Sequence, residues 1–157
     1  MANIELLKNF PDYTPILAFW AFMEWYRNRA ISFNLIIQFY RNCENDNKLP
    51  ICWVAVEDGI PVGMVTLKKN ALWSRKDLNP WLVTLYILPE FRGRGIGVKL
   101  INTLIDKSLE MGYKRLYLFT DQNKNYDLCS YYAKRGWRFL GNAMDNDYSD
   151  TMIFYYE

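Results

Sequence analysis

Apolar and polar positions divide the chain into short elements. Residues 4–7 read as a strand, broken by Pro11-Asp12. From Tyr13 to about Arg29, the residues Ile16, Leu17, Phe19, Trp20, Met23 and Tyr26 recur near helical spacing. Ser32 stands where an N-cap belongs, before a second helix running to about Asn42. After a polar loop, Ile51–Glu57 and Ile60–Lys68 read as strands joined by Asp58-Gly59, a hairpin turn. Leu82–Leu88 is almost continuously apolar, which predicts a strand buried on both faces, ended by Pro89. A helix follows from Gly97 to about Met111. Its stripe is Val98, Ile101, Ile105 and Leu109, with Leu100, Leu104 and Met111 beside it, and Gly112 stops it. Next come a strand (Arg115–Phe119), a short helix (Asp127–Lys134) ended by Gly136, and strands Trp137–Leu140 and Thr151–Tyr156 around a polar turn. The order β-αα-ββ-β-α-β-α-β-β mixes antiparallel hairpins with βαβ units. It predicts an α/β (α+β) architecture with a mixed sheet.

The length, 157 residues, suits one domain, 1–157, with no linker or repeat. A chain of that size buries about 70% of its unfolded surface, enough for a core without disulfides or metal. Aromatic residues make up 17%, a surplus that must sit in a core, a pocket or an interface. Trp20, Trp25, Trp73, Trp81 and Tyr86 are candidates to line a pocket, although most such residues are core. The net charge of +2 gives no argument for a nucleic-acid partner. The absence of histidine has more consequence. It excludes Ser-His-Asp and Cys-His catalysis and His-ligated metal, leaving Asp, Glu, Cys, Tyr, Lys or water as acid or base. Cys43, Cys52 and Cys129 are widely spaced, which fits neither a disulfide scaffold nor a zinc site and points to a reducing cytosol. No signal peptide or bilayer-length apolar run is visible, so no membrane role is expected.

The chemistry concentrates at Leu85-Tyr86-Ile87-Leu88-Pro89-Glu90-Phe91-Arg92-Gly93-Arg94-Gly95-Ile96-Gly97. Here a strand runs through a glycine-rich loop directly into a helix. Helix N-terminal amides, close-approach glycines and two arginines together make a phosphate site. It is neither a Walker A loop, since Val98 follows Gly97, nor a Gly-x-Gly-x-x-Gly fingerprint. Arg92, Gly95 and Gly97 fit Arg/Gln-x-x-Gly-x-Gly/Ala, which resembles the acetyl-CoA signature of the GNAT superfamily of N-acetyltransferases. Downstream, Asn125, Tyr132 and Gly136-Trp137 resemble the family's Asn-(x6)-Tyr-x-x-x-Gly-Phe pattern, with Trp for Phe. Pro80-Trp81-Leu82, Leu116 to Thr120 and Glu24-Trp25 resemble a narrower group, some of whose members are likened to aminoglycoside 6′-N-acetyltransferases.

The resemblance implies a GNAT-like fold, a mixed sheet of six to seven strands flanked by about four helices. It also implies direct transfer of acetyl from acetyl-CoA to a primary amine, without metal. By position, the backbone of Leu85, Tyr86 and Ile87 would pair with the pantetheine arm. Pyrophosphate would lie on the amides of Gly93, Arg94, Gly95, Ile96, Gly97 and Val98, near Arg92, with Asn125 as a further cofactor contact. Tyr132 would protonate the leaving thiolate, and the adjacent Tyr131 is its rival in register. An alkylammonium with a pKa of about 10.4 is free amine to only about one part in 10³ at pH 7, so a base or water chain must help. The Glu that some members place near the start of the central strand is replaced by Trp81, at the acceptor side. Glu24 is the substitute as base and acceptor contact, against a solvated-carboxylate reading; Asp77 and a water relay are alternatives. Asp145, Asp147 and Asp150 would attract a polycation, or simply favour a turn. The acceptor is expected to be a small molecule. Acetylation of a protein N-terminus or lysine, and a silent acyl-CoA-binding module, are the competing readings. Family members are often dimers, and the aromatic strand Met152–Tyr156 is a candidate interface.

Overall fold

The hairpin Ile51–Glu57 (β2) and Ile60–Lys68 (β3) forms with the expected bounds, and its turn residues Asp58 and Gly59 have φ of 51° and 76°. Positive φ at both positions gives the turn the twist of the flanking strands. The computed structural model of the chain describes residues 1–121, 128–145 and 148–157. The other strands are Asn3–Leu6 (β1), Trp81–Ile87 (β4), Leu116–Asp121 (β5), Arg138–Asp145 (β6) and Tyr148–Tyr156 (β7). The α-helices are Thr14–Ala21 (α1), Phe33–Arg41 (α2), Ile96–Glu110 (α3) and Leu128–Ala133 (α4). Among the described residues seven strands join one mixed sheet, in the order β1-β2-β3-β4-β5-β7-β6. The chain packs as two compact units, residues 1–67 with 84–106 and residues 68–83 with 107–157.

In the first unit, β1 pairs antiparallel with β2, and β2 with β3. Ser32 caps α2 as expected, its hydroxyl accepting the Leu35 N–H at 3.3 Å. The core includes Leu7, Leu17, Ala18, Ala21, Ile36, Tyr40, Cys43, Cys52, Val54 and Met64. The helix expected to reach Arg29 is interrupted: α1 ends at Ala21 and Phe22–Tyr26 form a π-helical turn. Leu17, Ala18, Trp20 and Ala21 face inward, whereas Ile16, Phe19 and Met23 stay 40%, 53% and 42% exposed. A helix apolar on nearly every side carries no unique phase in its sequence, so packing chooses the buried face.

Two further expectations are corrected. The buried side of α3 is Ile96, Leu100, Ile101, Leu104 and Ser108, while Val98 and Leu109 are exposed. The apolar positions allow two adjacent stripes, and the structure buries the one containing Leu100 and Leu104. Strand β4 is buried only at Trp81 and Leu82; Val83 to Ile87 are half-buried. Within it Thr84 has φ 54°, a left-handed conformation rare for a β-branched residue, which departs from a regular buried strand.

In the second unit, β7 pairs antiparallel with both β5 and β6. β4 begins there, parallel to β5 with Trp81 opposite Tyr117, and the Tyr117 N–H donates to the Pro80 carbonyl at 3.0 Å. Leu72, Leu78, Trp81, Tyr117, Ala143 and Ile153 form its core. Strand β7 is internal to the sheet with Ile153 and Phe154 buried. The aromatic C-terminal strand is therefore a core strand, both of its edges taken by neighbours. The three cysteines are thiols, two of them buried. Among the described residues no helix is long and apolar enough to cross a membrane.

Candidate active site

Strand β4 leaves through a 3-10 turn, Pro89–Phe91, and four residues (92–95) then lead into α3. Gly93 and Gly95 make this possible, with φ of 77° and 81°. A Cβ added at either would meet nothing within 4 Å, so the backbone conformation rather than space calls for glycine. The helical ladder opens with Lys99 N–H donating to the Gly95 carbonyl at 3.2 Å. The amides of Ile96, Gly97 and Val98 stand ahead of that bond, at the positive end of the helix dipole, where an oxyanion is favoured.

The two arginines of the loop take different roles. Arg92 Nε donates to the Ile87 carbonyl at 2.9 Å and its guanidinium lies 5.6 Å from the Tyr86 ring centre. One donor of the fork is thus spent on holding β4, and the terminal nitrogens carry the rest of its donors. Arg94 donates to the Glu90 carbonyl at 3.1 Å, covers the Phe91 ring at 4.9 Å and lies 3.7 Å from the Glu57 carboxylate. It is tied to its own loop and to the end of β2.

Gly63, unremarked in the sequence, sits against this strand. A Cβ there would come within 2.8 Å of Ile87 Cδ1 and 3.1 Å of the Tyr86 carbonyl oxygen. A glycine inside a strand pattern was the available signal, since it marks close backbone approach.

Tyr86 collects several of the expected residues. Its ring lies 5.6 Å from that of Trp20 and 6.3 Å from that of Trp25, the latter edge-on. Burial pushes its phenol above the usual value, the Glu24 charge adds to this, and Arg92 opposes it. Glu24 itself is exposed within the π-helical turn. A π-turn is a recurrent feature of functional sites because it re-aims the side chains it carries. Trp81, by contrast, is fully buried, donates its indole N–H to the Leu78 carbonyl at 2.8 Å, and packs on Tyr117 and Phe119. The expected acceptor contact thus falls on a side chain with no exposed surface. Asp77 is held in a bidentate pair with Arg75 at 2.9–3.0 Å, which lowers its carboxyl pKa and weakens it as a base.

In the second unit, α4 presents Tyr131 and Tyr132. Tyr132 is buried, with its ring against Tyr131, Trp137 and Phe154. Tyr131 instead carries the Arg135 guanidinium 3.6 Å from its ring centre. The interval from Tyr132 to Gly136-Trp137 has a local cause. Trp137 N–H donates to the Tyr132 carbonyl at 3.1 Å, Gly136 N–H donates to that of Ala133 at 3.2 Å, and Gly136 has φ 90°. This is a Schellman cap, with the aromatic pair Tyr132 and Trp137 as its apolar contact. Asn125 and Asp147 lie outside the described residues, and Asp145 and Asp150 end β6 and lie in β7.

Comparison with known proteins converges on one family. Residues 12–137 match the family model described as acetyltransferase (GNAT) family. An uncharacterized N-acetyltransferase of Archaeoglobus fulgidus is 36% identical over 87 residues, 54% of this chain, and the match spans 58% of that relative. The fold is similar to the crystal structure of aminoglycoside 6′-acetyltransferase type Ii, with TM-score 0.74 and 18% identity over 98% of this chain and 95% of that one. It is equally similar to a putative acetyltransferase from Salmonella typhimurium solved with its cofactor acetyl-CoA, at TM-score 0.74 and 14% identity over 100% and 94%.

Proposed function

Because the chain belongs to the acetyltransferase (GNAT) family, we propose that it transfers acetyl from acetyl-CoA to a primary amine, directly and in a ternary complex, with a small molecule as acceptor. The observation that carries this reading is the loop from Arg92 to Gly97. Two left-handed glycines deliver the chain into α3 with the amides of Ile96, Gly97 and Val98 ahead of the helical ladder, beside two arginines. Such a surface suits a pyrophosphate, and the half-buried backbone of Leu85, Tyr86 and Ile87 suits the extended pantetheine arm as an added strand.

The chemistry asks two things of the chain. A base must take a proton from the acceptor ammonium, and Glu24 is the assigned carboxylate. An acid must protonate the departing thiolate, and Tyr132, whose phenol O–H is a proton donor, is assigned that task. Over the step the C–N bond forms, the thioester C–S bond breaks, and the products are the acetamide and CoA. Asn125 is assigned a further cofactor contact. The solved neighbours that act on an aminoglycoside or hold acetyl-CoA support this reading through the shared fold. Reduced thiols fit a cytosolic setting.

The test is incubation with acetyl-CoA and a panel of aminoglycosides, monoamines, polyamines, amino acids and short peptides, with product mass as readout. An acetylated small amine is the expected result. Acetylation confined to peptides would move the acceptor to proteins. Acetyl-CoA binding without any product would favour a silent acyl-CoA-binding module.

A further inference from the structure

Outside the cofactor loop, the densest unexplained feature of the first unit is the aromatic group around Tyr86. Trp20 and Trp25 flank its ring at 5.6 and 6.3 Å, and both Trp25 and Tyr86 are only half-buried. The π-helical turn that carries Trp25 places exposed Glu24 where its charge acts on the Tyr86 hydroxyl. Phe19 and Met23, on the same helical segment, stay 53% and 42% exposed. Half-exposed aromatic faces beside a carboxylate are the recognition chemistry of an organic ammonium.

The surrounding charges limit how many positive groups the ligand carries. Tyr86 feels two carboxylates, Glu24 and Glu90, and one guanidinium, Arg92. An acceptor with one ammonium finds a partner in Glu24. A polycation would bring a further charge toward the Arg92 guanidinium, 5.6 Å from the Tyr86 ring centre, and leave the aromatic surface unused.

We infer that the acceptor is a monocationic primary amine with an apolar, aromatic-sized body, its ammonium at Glu24 and its body on the rings of Trp25 and Tyr86. This deepens the acetyl-transfer reading and rests on it for the word acceptor. It separates this chain from the aminoglycoside-acting enzyme whose fold it shares.

The experiment has two arms. In the first, phenethyltrimethylammonium, which cannot be acetylated, is titrated into the protein by calorimetry. Saturable binding is expected, weakened at least tenfold in Glu24→Gln and in Trp25→Leu; circular dichroism confirms that each variant is folded. Absence of binding at millimolar probe, or equal binding by wild type and Glu24→Gln, overturns the inference. In the second arm, acetyl-CoA turnover is compared for 2-phenylethylamine, n-butylamine and kanamycin. A kcat/KM for 2-phenylethylamine at least tenfold above that for either other amine supports it, and preference for kanamycin overturns it while leaving acetyl transfer intact. Probe binding as expected, with no amine acetylated, supports the ammonium site and removes the acetyl-transfer reading instead.

Discussion

The hydroxyl groups of Thr84 and Thr66 meet at 3.0 Å, tying β4 to β3 where β4 leaves regular strand geometry. Thr84 sits at φ 54°, a conformation that costs a β-branched residue about 1–3 kcal/mol. Thr66 is fully buried, and the buried Tyr40 hydroxyl also lies beside Thr84. The backbone from Leu85 to Ile87, which would receive the pantetheine arm, begins immediately after this point. Thr84→Val keeps the side-chain shape and removes the bond. It is expected to lower stability by about 1 kcal/mol and to raise the KM for acetyl-CoA more than it changes kcat. Urea unfolding and steady-state kinetics check both, and Thr66→Ser, which keeps a hydroxyl, should stay close to wild type.

Gly95 and Gly63 are required for different reasons, and alanine at each should fail differently. Gly95→Ala meets no atom but is forced into a left-handed conformation, at about 1–2 kcal/mol, and shifts the amides before α3. Gly63→Ala has ordinary backbone freedom but collides with Ile87 Cδ1 and the Tyr86 carbonyl, an overpacking cost of about 1–3 kcal/mol that pushes β4 away. Calorimetric titration with CoA should show loss of affinity in both variants. Only Gly63→Ala should also change the fluorescence of the tryptophans beside Tyr86.

Arg92 holds the Ile87 carbonyl with one nitrogen while its remaining donors suit a phosphate. A charge-assisted bond is worth about 1.5–3 kcal/mol, so Arg92→Ala should raise the KM for acetyl-CoA about 10- to 100-fold. Arg94→Ala, whose guanidinium is engaged by Glu90, Phe91 and Glu57, should have the smaller effect. Comparable losses in the two variants would count against the assigned division of labour.

Tyr132→Phe tests the acid. A positioned proton donor is typically worth about 10²–10⁴ in rate, so turnover should fall at least tenfold with acetyl-CoA affinity almost unchanged. The substitution keeps the ring contacts with Trp137 and Phe154 and the carbonyl that closes the cap. Turnover close to wild type would remove Tyr132 from the acid role.

Burial pushes the Cys52 thiol up to about 12, partly offset by the Thr66 hydroxyl, and raises the Tyr40 phenol as well. A raised acid is protonated in the folded state after it has ionised in the unfolded one. Its contribution is whole below the unfolded thiol value of about 8.5 and is lost as pH climbs toward 12. Urea stability should therefore fall steadily above about pH 9, and Cys52→Ala should flatten the first part of that fall. In native protein at pH 8, Cys129 should react with a thiol reagent ahead of the two buried cysteines.

The parts of the fold legible in advance are those set by neighbours in the chain. The Asp58-Gly59 turn, the Ser32 cap, the bounds of β2 and β3 and the entry of the glycine loop into α3 all follow from local backbone requirements. The interval between Tyr132 and Gly136 was read from a resemblance, and the structure adds its physical origin in a helix cap. A cap alone accounts for that spacing, which is why the catalytic assignment depends on the Phe substitution above.

What remained hidden depends on segments distant in the chain. Aromatic content marked Trp81 and Tyr86 alike as pocket candidates. The hydrogen bond to Leu78 and the packing on Tyr117 sink Trp81 into the core, while Tyr86 stays half-buried among Trp20, Trp25, Glu24 and Arg92. The phase of α1, the buried side of α3, the π-turn, the need for glycine at Gly63 and the Thr66–Thr84 bond have the same origin. By itself the sequence determined the elements, their order and the loop chemistry, because turns, caps and periodicity are properties of a few successive residues. Tertiary structure alone decided which face each element buries and which side chains meet, because several faces were apolar enough to be buried and only packing against the rest of the chain selects among them.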